Sequence, residues 1–157
     1  MIKIIAIGKL KEKHLLSLCN EYVKRMQPYH KLEVIEVKDE NLSNLSSKEE
    51  DLVKEKEAQE ALKKIKDGEF VILLDLHGKS IDSESFAKLI DDTLTYKTSN
   101  ITFVIGGSLG IGPSLYQRAD YRLQLSKMTF LHQMTRLILL EQIYRAFKIR
   151  AKETYHK

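Results

Sequence analysis

Two stretches constrain the fold more than anything else in the chain. "EFVILLDL" (69–76) and "NITFVIGG" (100–107) are near-continuous apolar runs, rich in branched residues and short for helices. Such runs read as strands of a parallel sheet buried on both faces. "MIKIIAI" and "KLEVIEVK" read as two earlier strands, and "YRLQLS" as a short last one. Segments of helical spacing lie between them. In "KEKHLLSLCNEYVKRMQ", Leu15, Leu18, Cys19, Tyr22 and Met26 share a face, and Pro28 ends the helix. Ser47 and Glu50 form a capping box that opens "KEEDLVKEKEAQEALKKIK". "DSESFAKLIDDTL" follows a polar cap, Pro113 starts a short helix "PSLYQR", and "TFLHQMTRLILLEQIYRAFKIRAK" is a long closing helix. The order βαβαβαβαβα implies a doubly wound α/β fold with a largely parallel sheet. The 157 residues are expected to form one domain, 1–157.

Composition narrows the function. Charged residues make up 31% of the chain and apolar residues 43%, which points to a soluble globular protein rather than a disordered tail. No apolar run approaches the ~20 residues of a membrane span. The first apolar run leads into basic residues without a small-residue cleavage site, so it reads as a strand and not a signal peptide. A single cysteine, Cys19, excludes an internal disulfide and points to the cytoplasm. It reads as a buried structural thiol. His14, His30, His77, His132 and His156 are scattered without ligand spacing, so no metal is expected. Charge is uneven. From Arg118 onward nine Lys/Arg face three Asp/Glu, a balance of +6, which leaves −2 for residues 1–117 of the chain's +4. That asymmetry points to a polyanion such as nucleic acid, set against the plainer reading of a solvated helix face.

In open α/β sheets ligands bind beyond the carboxyl ends of the strands. "DLHGK", "GGSLGIG" and "LSKMTF" are the three late loops in that position, and they can line one crevice. Gly106 to Gly110 fits the G-x-S-x-G elbow of a serine hydrolase, with Asp120 and His132 following Ser108 in triad order. Asp120, however, directly precedes a strand and His132 opens a helix, so the hydrolase is the weaker reading. The glycine offsets do not match a dinucleotide fingerprint, and Pro113 stands where a P-loop needs lysine. What remains is a turn whose bare backbone at Gly106, Gly107 and Gly110 admits a flat ligand.

These residues resemble a known family. "IAIGKLKEK", "DLHGK", "FVIGGSLG", "LSKMTFLHQMTRLILLEQIYRAFKI" and the terminal "YHK" are similar to the RlmH family of small SPOUT-class methyltransferases over nearly the whole chain. The resemblance implies a SPOUT-type, largely parallel sheet flanked by helices, with a C-terminal deep trefoil knot. It implies methylation of N3 of a pseudouridine in large-subunit (23S) ribosomal RNA, with S-adenosyl-L-methionine as cofactor. It also implies a homodimer whose composite active site joins one protomer's cofactor to RNA-binding groups of the other. Cofactor contacts then fall on Leu74, Gly78, Gly106, Gly110, Leu125, Ser126, Lys127, Met128, Thr129 and Phe130. His132, Tyr155 and His156 are candidates for the catalytic group that takes the N3 proton. Arg118, Arg122, Arg136, Arg145, Arg150 and Lys157 are candidates for RNA phosphate. Leu131 stands where the family usually has proline, so the loop before the last helix is expected to be less rigid. A SPOUT enzyme with another RNA target and a non-catalytic RNA-binding module are the alternatives from this side.

Overall fold

The computed structural model describes residues 1–40 and 42–157. Its elements run β1 (Ile2–Ile7), α1 (Lys13–Met26), β2 (Leu32–Val37), α2 (Ser47–Leu62) and β3 (Phe70–Ser80), then α3 (Ser83–Tyr96), β4 (Ile101–Ile105), α4 (Pro113–Arg118), β5 (Tyr121–Gln124) and α5 (His132–Arg150). The strands form one sheet in the order β2-β1-β4-β3-β5, and every pairing is parallel.

Strand periodicity divides the apolar residues into two layers. Ile2, Ile4 and Ala6 of β1 join Ile72, Phe103 and Ile105 on one face, beneath Met26 of α1, Ile90 of α3, and Leu139 and Ile143 of α5. Ile5 and Ile7 join Val71, Leu73 and Val104 on the other face, beneath Ala58 and Ala61 of α2 and Leu115 of α4. Each valine, leucine, isoleucine, phenylalanine or methionine among them contributes roughly 1.5–3 kcal/mol when fully buried. The structure therefore has the doubly covered parallel sheet that the apolar runs imply. Cys19 is buried, with burial pushing its thiol upward, whereas Leu18 of the same helix is exposed.

At the amino end of the sheet, Lys3 donates to Glu69 Oε1 at 2.7 Å and to the Lys64 carbonyl at 2.7 Å, while Thr102 donates to Glu69 Oε2 at 2.6 Å. Burial pushes the Glu69 carboxyl up, but the Lys3 and Thr102 bonds outweigh it and hold the group below its ordinary range.

Three local expectations shift. The capping box of α2 is Ser46 with Glu49, one residue ahead of Ser47 and Glu50, because the helix itself begins at Ser47. The closing helix begins at His132 rather than Thr129, since Ser126 Oγ accepts from Met128 N and curls the preceding segment into a loop. "DLHGK" is not a free loop. It is an irregularity within β3, where Leu74 and Lys79 both pair with Leu123 of β5. Gly78 makes that possible, because a Cβ there would lie 2.7 Å from the backbone carbon and oxygen of Arg122. We expect Gly78→Ala to force β3 and β5 apart and to cost roughly 1–3 kcal/mol in urea denaturation. An unchanged midpoint would show that the close approach contributes nothing.

Candidate active site

A cavity of about 640 Å³ opens beyond the carboxyl ends of β3, β4 and β5 and is closed by residues 125–131 and the first turn of α5. The turn after β4 forms its floor. Gly110 N donates to the Gly107 carbonyl at 3.1 Å, and Gly110 has φ +115°, a conformation that glycine reaches without strain. A Cβ on Gly106 would come within 2.8 Å of Ile111 Cγ1, so the turn folds tightly on itself and leaves main chain facing the cavity.

On the β3 side stands Asp75, whose carboxylate is 3% exposed. Its Oδ2 accepts from Arg122 Nε at 2.7 Å and lies 2.6 Å from Arg122 Nη2, and its Oδ1 accepts from His77 N at 3.0 Å. Both guanidinium nitrogens converge on the one oxygen Oδ2, a charge-assisted contact that leaves Oδ1 to the His77 N–H. The Arg122 guanidinium also lies 5.0 Å from the ring centroid of Tyr116, another lining residue, whose hydroxyl is pushed up by burial and by Asp75. Gln124 donates to the Leu76 carbonyl at 2.6 Å and fixes the end of β5 to the β3 irregularity.

His132 opens α5 and lines the cavity. Its Nε2 is 2.8 Å from the carbonyl of Ile7. A carbonyl only accepts, so this bond assigns the proton to Nε2 and leaves Nδ1 as the basic nitrogen. One turn later, Arg136 donates to the Gly8 carbonyl at 3.1 Å and lies 3.5 Å from Glu36. Leu131, just before the helix, has φ −53° and ψ 134°, within the range that a proline ring imposes. The loop thus holds proline-like geometry without the ring.

A family model described as "Predicted SPOUT methyltransferase" matches residues 1–156. "Ribosomal RNA large subunit methyltransferase H" of Clostridium botulinum (strain 657 / Type Ba4) is 55% identical over 157 residues, covering 99% of each chain. The chain belongs to the RlmH family of SPOUT methyltransferases. A second relative, "Ribosomal RNA large subunit methyltransferase H 1" of Clostridium perfringens (strain SM101 / Type A), is 54% identical over 157 residues, again covering 99% of each chain. Among solved structures, the SpoU methyltransferase AviRb from Streptomyces viridochromogenes in complex with AdoMet aligns with a TM-score of 0.48 and 12% identity. That alignment covers 96% of this chain but 58% of AviRb.

The residues that the RlmH resemblance singles out are only partly gathered here. Leu74, Gly106, Gly110, Leu125, Ser126, Met128, Thr129 and Phe130 line the cavity with His132. Gly78 and Lys127 stand outside its wall, the first pressed on β5 and the second exposed. Tyr155 and His156 sit elsewhere, folded back along α5. Tyr155 donates to Glu141 at 3.1 Å beneath the Arg145 guanidinium, and His156 Nδ1 lies 3.2 Å from Arg145. Burial, then Tyr22 and Glu141, push the Tyr155 hydroxyl far up.

Arg136 requires correction as a phosphate ligand. It is 5% exposed and committed to Gly8 and Glu36, so it faces the interior. Arg118 pairs with Asp120 and the Glu69 carbonyl at the amino end of the sheet, away from the cavity, and Arg150 pairs with Asp91. Lys157 is exposed. The hydrolase triad does not form. Asp120 accepts from Val71 N at 2.8 Å at the amino end of the strands, while Ser108 and His132 line the cavity at the carboxyl end.

Asp75 and Tyr116 were missed by sequence reasoning. A lone carboxylate ending the run "VILLD" was a usable signal for the first, whereas nothing in the sequence marks the second. Replacing Leu131 by proline is expected to raise stability by about 0.4–1 kcal/mol, because the native φ already suits the ring and the unfolded chain loses freedom. Thermal unfolding checks this, and a lower midpoint would show that the backbone N–H or side chain of Leu131 is needed.

Proposed function

We propose that this protein is a cytoplasmic, S-adenosylmethionine-dependent methyltransferase that modifies N3 of a pseudouridine in 23S ribosomal RNA on assembled ribosomes, as a homodimer of single-domain chains carrying the C-terminal trefoil knot. The observation that carries the reading is the match to relatives named as large-subunit ribosomal RNA methyltransferases, which runs end to end over both chains. The cavity suits the cofactor. It is large enough for a nucleoside with an amino-acid tail, and its floor is a glycine turn whose bare main chain a purine and sugar can approach.

When bound, S-adenosylmethionine supplies a methyl group already activated on a sulfonium. The chain's task is alignment and proton removal. The irregular segment of β3 and the loops after β4 and β5 hold the donor. His132 receives the N3 proton at Nδ1, while the Ile7 carbonyl holds Nε2–H and stabilises the imidazolium. Tyr155 suits a positioning role better, since its hydroxyl is held protonated.

The dimer reading rests on two features. Glu141, which anchors Tyr155, lies about 13 Å along α5 from His132 at 1.5 Å per residue, so tail and cavity are separate stations of one chain. The cavity rim also exposes Leu76, Met128 and Leu131, apolar surface that a second protomer can cover. Exposed Lys9, Lys11 and Lys13, just beyond the carboxyl end of β1, and Lys127 beside the cavity supply cations for RNA phosphate at that same end.

Purified ribosomes incubated with labelled S-adenosylmethionine and this protein should yield labelled 3-methylpseudouridine on nucleoside mass spectrometry. Label at another nucleoside would move the reading to a different RNA target, and no label would end it. Deleting Tyr155 to Lys157 should abolish transfer while leaving the calorimetric Kd for the cofactor within about threefold. Equal loss of both would remove the tail from the active site.

A further inference from the structure

We infer that Glu57, behind the glycine turn, is a specificity-determining residue that makes the cavity prefer the positively charged methyl donor over its neutral product. The inference rests on the reading of S-adenosylmethionine as cofactor.

Glu57 belongs to α2 and is 3% exposed. Its Oε1 accepts from Glu40 N at 3.0 Å, and its Oε2 has no hydrogen-bond partner among the described residues. That free oxygen is aimed at the turn, since a Cβ on Gly107 would lie 2.6 Å from it. Gly107 itself lines the cavity, so one glycine separates the carboxyl group from the ligand space. A buried carboxyl with an idle oxygen is costly, and α2 does not need it for packing, because Ala58 and Ala61 fill the core beneath.

On α2 itself, Lys54 packs its side chain 3.6 Å from where a Gly110 Cβ would lie and is paired with Asp51 at 3.0 Å. The segment between β2 and α2 brings Asp39 and Glu40, and Glu40 is already paired with Lys56 of α2 at 2.8 Å. The glycine turn, residues 106–112, carries no titratable side chain. His132 of α5 and Asp39 each stand 3.7 Å from where a Gly8 Cβ would lie, and the His132 Nε2 is occupied by Ile7. No cation of the described residues is paired with Glu57. Burial, with Asp39 and Glu40 adding to it, pushes its carboxyl above the ordinary value, against the opposing backbone bond.

A sulfonium in the cavity would be a cation separated from this carboxyl by the Gly107 backbone. It favours the ionised carboxylate, and its binding releases a proton where Glu57 is otherwise neutral. Methyl transfer leaves a thioether of nearly the same shape without the charge, so the attraction disappears with the product. Ionisation of Glu57 rises with pH, and the preference for donor over product rises with it.

The test is calorimetric binding of S-adenosylmethionine and S-adenosylhomocysteine to the full-length protein between pH 5 and 7.5, in buffers of differing ionisation heat. In the wild type the ratio of the two affinities should rise about three- to tenfold across that range. Glu57→Gln, which keeps the shape and the Glu40 bond, should give a flat ratio. A flat wild-type ratio, or an equal rise in Glu57→Gln, overturns the inference while leaving the cofactor reading intact, because both ligands still bind. Binding of neither ligand overturns the cofactor reading and the inference with it. If Glu57→Gln fails to fold, the wild-type profile decides: a proton released with the donor and not with the product supports the inference, and its absence overturns it.

Discussion

The attachment of α5 to the end of β1 is the constraint from which the rest of the site follows. β1 lies inside the sheet between β2 and β4, so its carboxyl end cannot shift without disturbing both neighbours. Two successive carbonyls at that end, Ile7 and Gly8, accept from His132 and Arg136, one turn apart on α5. Arg136 is a buried cation, and removal of its acceptors would leave a desolvated charge without compensation, which costs several kcal/mol. Glu36, next to Arg136, also accepts from Leu10 N at 2.9 Å, so the segment leaving β1 is held by the same cluster. One charged group thereby fixes the first turn of α5, the exit of β1 and the end of β2.

With that turn fixed, the two ends of α5 serve different purposes. Its start closes the cavity through His132, and the segment before it, 125–131, must pass over the carboxyl ends of β3 and β4 to reach it. Its second half holds the tail through Glu141 and Arg145, with Tyr144 meeting Tyr155 edge-on at a centroid distance of 5.0 Å. The last residues are therefore ordered by specific bonds, unlike an ordinary free terminus. Between these stations, Leu139, Leu140, Ile143 and Phe147 pack on the sheet. Packing makes the helix a rigid spacer between cavity and tail.

Much of this arrangement was legible in the sequence because it depends on periodicity. The buried strands and the helices between them follow from apolar spacing, and the position of the three cavity segments follows from the rule that parallel sheets bind ligands at their carboxyl ends. What the sequence concealed depends on tertiary contact. "DLHGK" has turn-like composition, yet β5 captures it as part of β3, because Gly78 allows a backbone approach that no local pattern announces. Arg136 looks like every other arginine of a basic helix until the fold buries it against Gly8. Glu57 lies in a densely charged helix that reads as solvated throughout. Only the position of Gly107 reveals that this one glutamate points inward. Ser108, conspicuous as a pattern match, has its supposed acid at the opposite end of the sheet.

The same logic revises the meaning of the basic C-terminal third. Its excess of cations is a property of the sequence, and folding distributes it. Arg122 is bound by Asp75, Arg136 lies beside Glu36 and Arg150 is bound by Asp91, all carboxylates from the acidic N-terminal part, while Arg118 and Arg145 pair within their own region. Three of the six excess cations are thus taken up by pairing between the two parts of the chain. An arginine already held in two bonds to a carboxylate must give them up to grip a phosphate, whereas an exposed lysine gives up only water. The electrostatic face for RNA is accordingly better sought in lysines at the cavity end, Lys9, Lys11, Lys13 and Lys127, than in the arginines that dominate the count. Three of those four lie in residues 1–117, the part of the chain whose net charge is negative. Net charge by segment points to a class of partner and does not place the residues that meet it, because a fold pairs charges by proximity in space and not by position in the chain.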